Sequence, residues 1–286
     1  MMERLFVRLC DERAPGPETD APAGSLISRR IPRELAPYVT SALVYREDLG
    51  EREVLERVVP DGAVQLAFNF GVAPTAGQGE GARSEAIGAR TEPALVRLRG
   101  RMDGITVTLR PGAVAVLLGV PASELRASTV PLDLLWRGEA SRWLQQLREL
   151  PDDMTRLLWL QRALLQRARD AAPEVACATH AARLMMEARG KLSVRALAAS
   201  LGIGERRLQQ LFQQHVGLSP RAYGRVARMH GLLRDLRVAE VPSWARIAQD
   251  AGFYDQAHLA NEFRALCGLS PSAFLTHVSG SSKTAG

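Results

Sequence analysis

The chain has 286 residues, 46% of them apolar and 24% charged, room for one large domain or two ordinary ones. That composition excludes a disordered or collagen-like chain, and no window offers the roughly 18 uninterrupted apolar residues of a membrane helix. The net charge of +6 is uneven: residues 180–286 hold 14 Lys+Arg against 7 Asp+Glu, whereas residues 1–179 hold 23 against 24. The basic surplus lies in the last third and points to a polyanionic partner there.

The opening MMERLFVRLCDER is broken by Arg8 and lacks a hydrophobic core and cleavage site, so no secretory signal is expected. Cys10, Cys177 and Cys267 are far apart and read as free thiols of a reducing compartment. The first half is mainly β. Strands are expected at Ser41–Arg46, Glu53–Val59, Ala63–Phe70, Leu95–Gly100 and Ile105–Arg110. Alternation is clearest in Val64, Leu66, Phe68, Phe70 and in Ile105, Val107, Leu109. A long Gly/Ala-rich loop spans 71–83.

From about 112 the period becomes helical, with helices expected at 112–118, 121–127, 131–136 and 139–149. The stretch Asp152–Asp170 is amphipathic, with Met154, Leu157, Leu158, Leu164, Leu165 and Ala168 on one stripe. That stripe either packs on the sheet or forms a homodimer seam. A boundary is expected at Ala171-Ala172-Pro173. The expected fold is therefore α+β: residues 1–173 form a β-rich domain with trailing helices, 174–276 an all-α domain, and 277–286 a disordered tail.

The all-α part contains a duplication. VRALAASLGIGERRLQQLFQQHVGLSP (194–220) is repeated as WARIAQDAGFYDQAHLANEFRALCGLSP (244–271). Leu197-Ala198 matches Ile247-Ala248, and Leu208, Phe212 and Gly217–Pro220 match Leu259, Phe263 and Gly268–Pro271 with one extra residue in the second turn. Each copy has helix-turn-helix layout. Ser193 is a candidate N-cap, and Gly202 and Gly252 stand where a left-handed backbone ends the first helix. Ser219-Pro220 starts a connecting helix to about Arg237. Its ~18 residues give a ~27 Å spacer, which suits two recognition helices about one DNA turn apart, ~34 Å.

These residues, above all DQAHLANEFRALCGLSPSAF (255–274), resemble the tandem helix-turn-helix domain of the AraC/XylS family of bacterial transcription regulators. PDGAVQLAFNFG (60–71) and PGAVAVLLGVPASEL (111–125) are similar to a poorly characterised β-rich domain that precedes such domains. The resemblance implies double-stranded promoter DNA and RNA polymerase as partners, transcription activation in the cytoplasm, and control by a small-molecule effector through the N-terminal half. It implies no membrane association and no cofactor. On the first recognition helix it points to Arg206, Gln209, Gln210 and Gln213 as base contacts. On the second it points to Gln256, His258 and Asn261, the last where many relatives carry Arg. Arg bonds guanine and Gln or Asn bonds adenine. Arg207, Arg221, Arg225, Arg246 and Arg264 are expected at phosphates. Arg228 suits either a phosphate or a salt bridge within the connecting helix.

The first 179 residues contain no histidine, so a histidine-held metal in the β half is not expected. Phosphate-loop and nucleophile-elbow motifs are also missing from the sequence, and no catalytic residue is named. Val64, Leu66, Phe68 and Phe70 either line a ligand cavity or are plain core. Two other readings stay open: an enzyme or small-molecule-binding protein tethered to DNA, and a non-specific architectural DNA binder.

Overall fold

The computed structural model describes residues 2–8, 18–29, 31–77, 81–168, 173–238 and 244–281. Cys10, Ala171 and Ala172 lie outside these residues.

Among the described residues nine strands form one sheet: β1 (Met2–Val7), β2 (Glu18–Thr19), β3 (Leu26–Arg29), β4 (Val39–Val58), β5 (Gln65–Asn69), β6 (Thr75–Ala76), β7 (Ser84–Ile87), β8 (Ala94–Leu109) and β9 (Thr129–Pro131). The order is β2-β1-β4-β8-β5-β7-β9, with β3 on β4 and β6 on β8. Four of the five expected strands merge into two. The segments 41–46 and 53–59 fall on β4, and 95–100 and 105–110 on β8. The polar run Glu47–Arg52 looks like a break in the sequence. In the fold it is a register shift between Asp48 and Glu53, carried by the continuous antiparallel β4–β8 ladder. The ladder bends there, around Leu49, Val54, Leu98 and Met102.

Strand alternation gives the sheet two unlike faces. Ala42, Val44, Leu66, Phe68, Ala86, Ile105, Val107 and Leu109 are buried in the main core. Their neighbours Leu43, Tyr45, Gln65, Ala67, Asn69, Glu85 and Thr106 line a lumen on the opposite face.

The apolar face is covered by α1 (Ala113–Leu118), a 3₁₀ turn (Ala122–Leu125), α2 (Leu132–Trp136), α3 (Glu139–Glu149) and α4 (Asp153–Arg167). Asp152 caps α4 by accepting from the Thr155 N–H at 2.8 Å. Phe68, Trp136, Trp143 and Trp159 stack beneath these helices, Trp136 and Trp143 at 4.7 Å between ring centroids. The buried stripe of α4 is Leu157, Leu160, Leu164 and Ala168. Met154 and Leu158, expected on the same stripe, are 52% and 46% exposed. They sit roughly one residue around the helix from the line that meets the core.

Among the described residues seven helices follow: α5 (Pro173–Glu187), α6 (Val194–Ser200), α7 (Glu205–His215), α8 (Pro220–Val238), α9 (Trp244–Asp250), α10 (Gln256–Cys267) and α11 (Pro271–Ser281). The last one continues through Ser281, so residues 277–281 are helical rather than tail; Phe274 anchors α11 against Phe263 at 5.3 Å. Residues 282–286 lie outside the described part.

Apolar packing is continuous across residue 174. The main core runs from the sheet into Ala181, Met185, Leu197, Leu208, Phe212 and Tyr223. A second core joins Leu5, Val7 and Val59 to Val226, Met229, Leu233, Phe263 and Phe274. Each such buried side chain contributes about 1.5–3 kcal/mol, so both helical units are docked on the β half by more than surface contact. At the dock the His230 Nε2 lies 2.9 Å from the Pro60 carbonyl oxygen, and the Gly112 N–H donates to the His215 carbonyl at 2.9 Å.

Candidate nucleic-acid interface

The repeat folds twice in the same way. In the first copy, Ser193 caps α6 by accepting from the Ala196 N–H at 3.1 Å, and α6 ends at Gly202 with φ +66. In the second copy α9 ends at Gly252 with φ +77. Leu208, Leu211 and Phe212 fix the inner side of α7; Leu259, Phe263 and Leu266 do the same for α10. The Ser219 hydroxyl accepts from the Ala222 N–H at 3.2 Å and opens α8, which the two units share.

This burial pattern determines what faces outward. On α7, Arg206, Gln209, Gln210 and Gln213 are all exposed, and the spacing i, i+3, i+4, i+7 places them on one face. Arg207 is exposed beside them. On α10, Gln256, His258, Asn261 and Arg264 are exposed. Carried across the one-residue offset, Asn261 takes the place of Gln210 and Arg264 that of Gln213. Arg264, expected at a phosphate, thus shares the polar face of α10.

The two helices begin differently. Gly204 offers α7 no side-chain cap, whereas Asp255 accepts from the His258 N–H at 2.7 Å at the start of α10. The His258 ring is also held: its Nδ1 accepts from the Tyr254 N–H at 3.3 Å and its face meets Phe253 edge-on at 5.5 Å. This anchoring leaves His258 less free to reach a base than the glutamines of α7. Tyr254, 93% exposed immediately before α10, was not singled out by the sequence reading. The signal was present, an aromatic residue in the turn that carries the extra residue of the second copy.

The arginines divide by partner. Arg225 makes a two-pronged pair with Glu262 at 2.8 and 3.0 Å, which ties α8 to α10. A half-exposed pair of this kind contributes about 1 kcal/mol or less; its value is orientation of the recognition helix. Arg228 donates to the Gly252 and Gly190 carbonyl oxygens at 3.2 Å each and lies over the Phe253 ring. It therefore caps two helix ends, and neither sequence alternative described it. Arg246 pairs weakly with Asp250 at 3.7 Å. Arg221 and Arg264 are exposed.

The lumen of the β half is a second candidate site, with a cavity volume of about 370 Å³, within the size range of small-molecule pockets. Of the two roles open to the alternating apolar residues of β5, the structure gives them that of core, and the lumen is lined by the other face of the strand. Leu66 and Phe68 belong to the core, and Gln65, Ala67 and Asn69 face the space. Among the described residues no group of three His, Cys, Asp or Glu side chains can hold a metal ion, and no helix is long and apolar enough to cross a membrane. Cys177 and Cys267 are free; burial pushes the Cys267 thiol well above its usual range.

A fold of paired helix-turn-helix units with polar faces on their second helices defines a tandem helix-turn-helix protein that binds DNA. A family model described as a helix-turn-helix domain matches residues 197–277, and one described as a domain of unknown function (DUF6597) matches residues 31–131. The chain thus carries a helix-turn-helix DNA-binding domain in its last third, as expected of a DNA-binding regulator. No curated protein matches it. Among solved structures, it is similar to ToxT from Vibrio cholerae with an unsaturated fatty acid bound, at 10% identity and a TM-score of 0.44, over 88% of this chain and 98% of that one. A 1.65 Å ToxT structure matches at 9% identity and TM-score 0.43, over 88% and 98%. The AraC-like transcriptional activator CuxR matches at 17% identity and TM-score 0.26, over 74% and 86%.

Proposed function

We propose that α7 and α10 read two consecutive major grooves of a promoter, and that a small molecule in the lumen of the β half controls the reading. The observation that carries the first part is the pair of polar faces on helices joined by α8. Its 19 residues span about 28 Å as a rigid rod, close to one turn of DNA once the flanking helices are added. Arg206, Gln209, Gln210, Gln213, Gln256 and Asn261 contact bases, with Arg264 joining them on α10 and His258 at the edge of the face. Arg207, Arg221 and Arg246 contact phosphates, while Arg225 is spent on Glu262. Residues 1–173 act as the sensing unit and 174–276 as the reading unit.

Control is supported by a shared wall. The segment Val58–Asp61 lines the lumen, and within it Val59 packs in the core of α8 and α10 and Pro60 meets His230. A ligand that moves this wall moves the spacer between the two readers. The resemblance of residues 255–274 to the AraC/XylS family supports RNA polymerase as a further partner and the bacterial cytoplasm as the place of action. The exposed Met154 and Leu158 on α4 are where a second copy would pack. The reading assigns no catalytic step to the chain.

The test is selection of bound fragments from a sheared bacterial genome by the full chain at near-physiological salt. One motif with two blocks about a helical turn apart is the expected result. Equal recovery of all sequences would refute specific reading and leave an architectural binder.

A further inference from the structure

The lumen contains a carboxylate that folding does not use. Glu85 lies on β7, between Ser84 and Ala86 in a strand whose Ala86 faces the core, so its side chain is on the lumen side. It is only 7% exposed. Among the described residues no cation stands within ion-pair distance of it. Its remaining support is a backbone hydrogen bond from Ala82, and burial pushes its carboxyl up to about 7. The side chains around it are already committed. The Tyr45 hydroxyl donates to Asn69 Oδ1, and Asn69 Nδ2 donates to the Ala82 carbonyl at 2.7 Å.

Tyr45 is held against the sheet by a vacancy in the sequence. A Cβ on Gly104 would stand 2.2 Å from the Tyr45 hydroxyl oxygen and 2.6 Å from the Phe68 carbonyl oxygen. Glycine at 104 therefore lets the tyrosine lie close to the sheet beside Glu85, and burial followed by the charge of Glu85 raises the tyrosine pKa. The cations near the lumen are occupied elsewhere: Arg4 on Glu47 at 2.6 Å, Arg46 on Asp153 at 2.9 Å, and Arg8 on the Thr108 hydroxyl. Arg90 also lines the lumen, where burial lowers its pKa against the opposing charge of Asp61. Its Nε has no acceptor.

A buried carboxylate without a counter-charge is unfavourable, and this one faces the open lumen. We infer that the lumen is a receptor site for a small organic cation, a protonated amine bound to the Glu85 carboxylate against the Tyr45 ring, with Arg90 available to an oxygen at the ligand's far end. The inference names the ligand class of the effector site and rests on that reading. An anionic group seated at Glu85 would be repelled by its carboxylate. A purely apolar one would leave the carboxylate and the Arg90 Nε unmatched. A protonated amine supplies the missing charge and gains cation–π contact with Tyr45.

The experiment is isothermal titration and thermal unfolding of the full chain at pH 8, where Glu85 is ionised. The probes are phenethylamine and tyramine, with phenethyl alcohol, 3-phenylpropionate and oleate as matched neutral and anionic compounds. The amines are expected to raise the unfolding midpoint and bind at least tenfold more tightly than their neutral and anionic matches, and Glu85→Gln is expected to remove about tenfold or more of that preference. Binding led by 3-phenylpropionate or oleate, or no response to either amine at 10-fold molar excess and upward to about 10 mM, would overturn the inference. Should Glu85→Gln fail to fold, the charge series on the unaltered chain decides alone. Operator affinity is measured in parallel. Amines that bind without changing it would leave the cation site standing and defeat the control reading; anions that change it would do the reverse.

Discussion

Gly62 offers the sharpest test of the link between the lumen wall and the reading unit. It has φ +72, and a Cβ there would stand 3.2 and 3.3 Å from two ring carbons of Tyr223 and 3.4 Å from a methyl of Val226. Both neighbours are on α8. Gly62→Ala therefore does two things at once. A left-handed alanine costs about 1–2 kcal/mol, and its methyl intrudes by a few tenths of an ångström on carbons that prefer 3.5–4.0 Å, an overpacking cost of about 1–3 kcal/mol. Gly24 separates the two effects: it has φ +84 with nothing within 4 Å of the added carbon, so Gly24→Ala carries the backbone cost alone. The expected result is a loss of about 1–2 kcal/mol for Gly24→Ala and about 2–5 kcal/mol for Gly62→Ala, read by urea unfolding. Only Gly62→Ala should also shift operator affinity, by a coupling of about 1–3 kcal/mol, because it displaces α8 without touching α7 or α10. Equal effects of the two substitutions on both readouts would refute the reasoning. A stability loss with unchanged DNA affinity would mean that the dock holds the halves together without informing the readers.

Other consequences can be checked independently. Arg206 is exposed and has no intramolecular partner among the described residues, so Arg206→Ala should leave unfolding unchanged while costing roughly 1–3 kcal/mol on the operator and relaxing one base position; equal losses on operator and random DNA would make it a phosphate contact. Glu85 carries a raised carboxyl pKa, about 7 against 4.5, so the folded state keeps a proton that the unfolded chain releases. Its contribution is intact below about pH 4.5 and is lost as pH rises through 7, up to about 3 kcal/mol. The stability gain of Glu85→Gln over the parent should accordingly grow from near zero at pH 4.5 to that size at pH 8, and a pH-independent difference in urea titrations would contradict it. Residues 174–286 should fold alone and select the same DNA motif as the full chain. A fragment unfolded by circular dichroism would make Leu5, Val7 and Val59 integral to the reader's core.

The reading unit was largely legible in the sequence because its determinants are local. A Ser N-cap, a glycine after the helix and an apolar pair one turn apart each act within about 15 residues, and the duplication repeated the message. The two copies fold with the predicted one-residue offset. The β half was legible only in part. Its alternation marked β5 and the end of β8, but β4 and β8 became single ladders because pairing with a distant strand carries the chain across Glu47–Arg52. β1 pairs parallel with β4 across some 50 residues, and nothing in MERLFV announces that partner. Alternation also identified Leu66 and Phe68 as a face without saying which side would be covered. The trailing helices covered it, so the lumen fell to Gln65, Ala67 and Asn69, residues that read as the solvent side of a strand.

The arginines show why site residues were harder to place than folds. From the sequence, five arginines of the last third read alike as phosphate contacts, and Arg228 stood between that role and a salt bridge within the connecting helix. The fold distinguishes them by what else lies within reach. Arg225 finds Glu262 on α10, and Arg228 finds the carbonyls of Gly190 and Gly252; in both cases the partner is distant in sequence. Both sit on α8, the element whose buried residues meet the β half at Gly62 and Pro60. On α8, Arg225 and Arg228 hold α10 and the ends of α5 and α9 to it, and Arg221 at its start stays exposed. A helix that carries both readers and the dock is worth more as a rigid reference than as a contact surface, because any tilt imposed at Pro60 is then passed to both recognition helices.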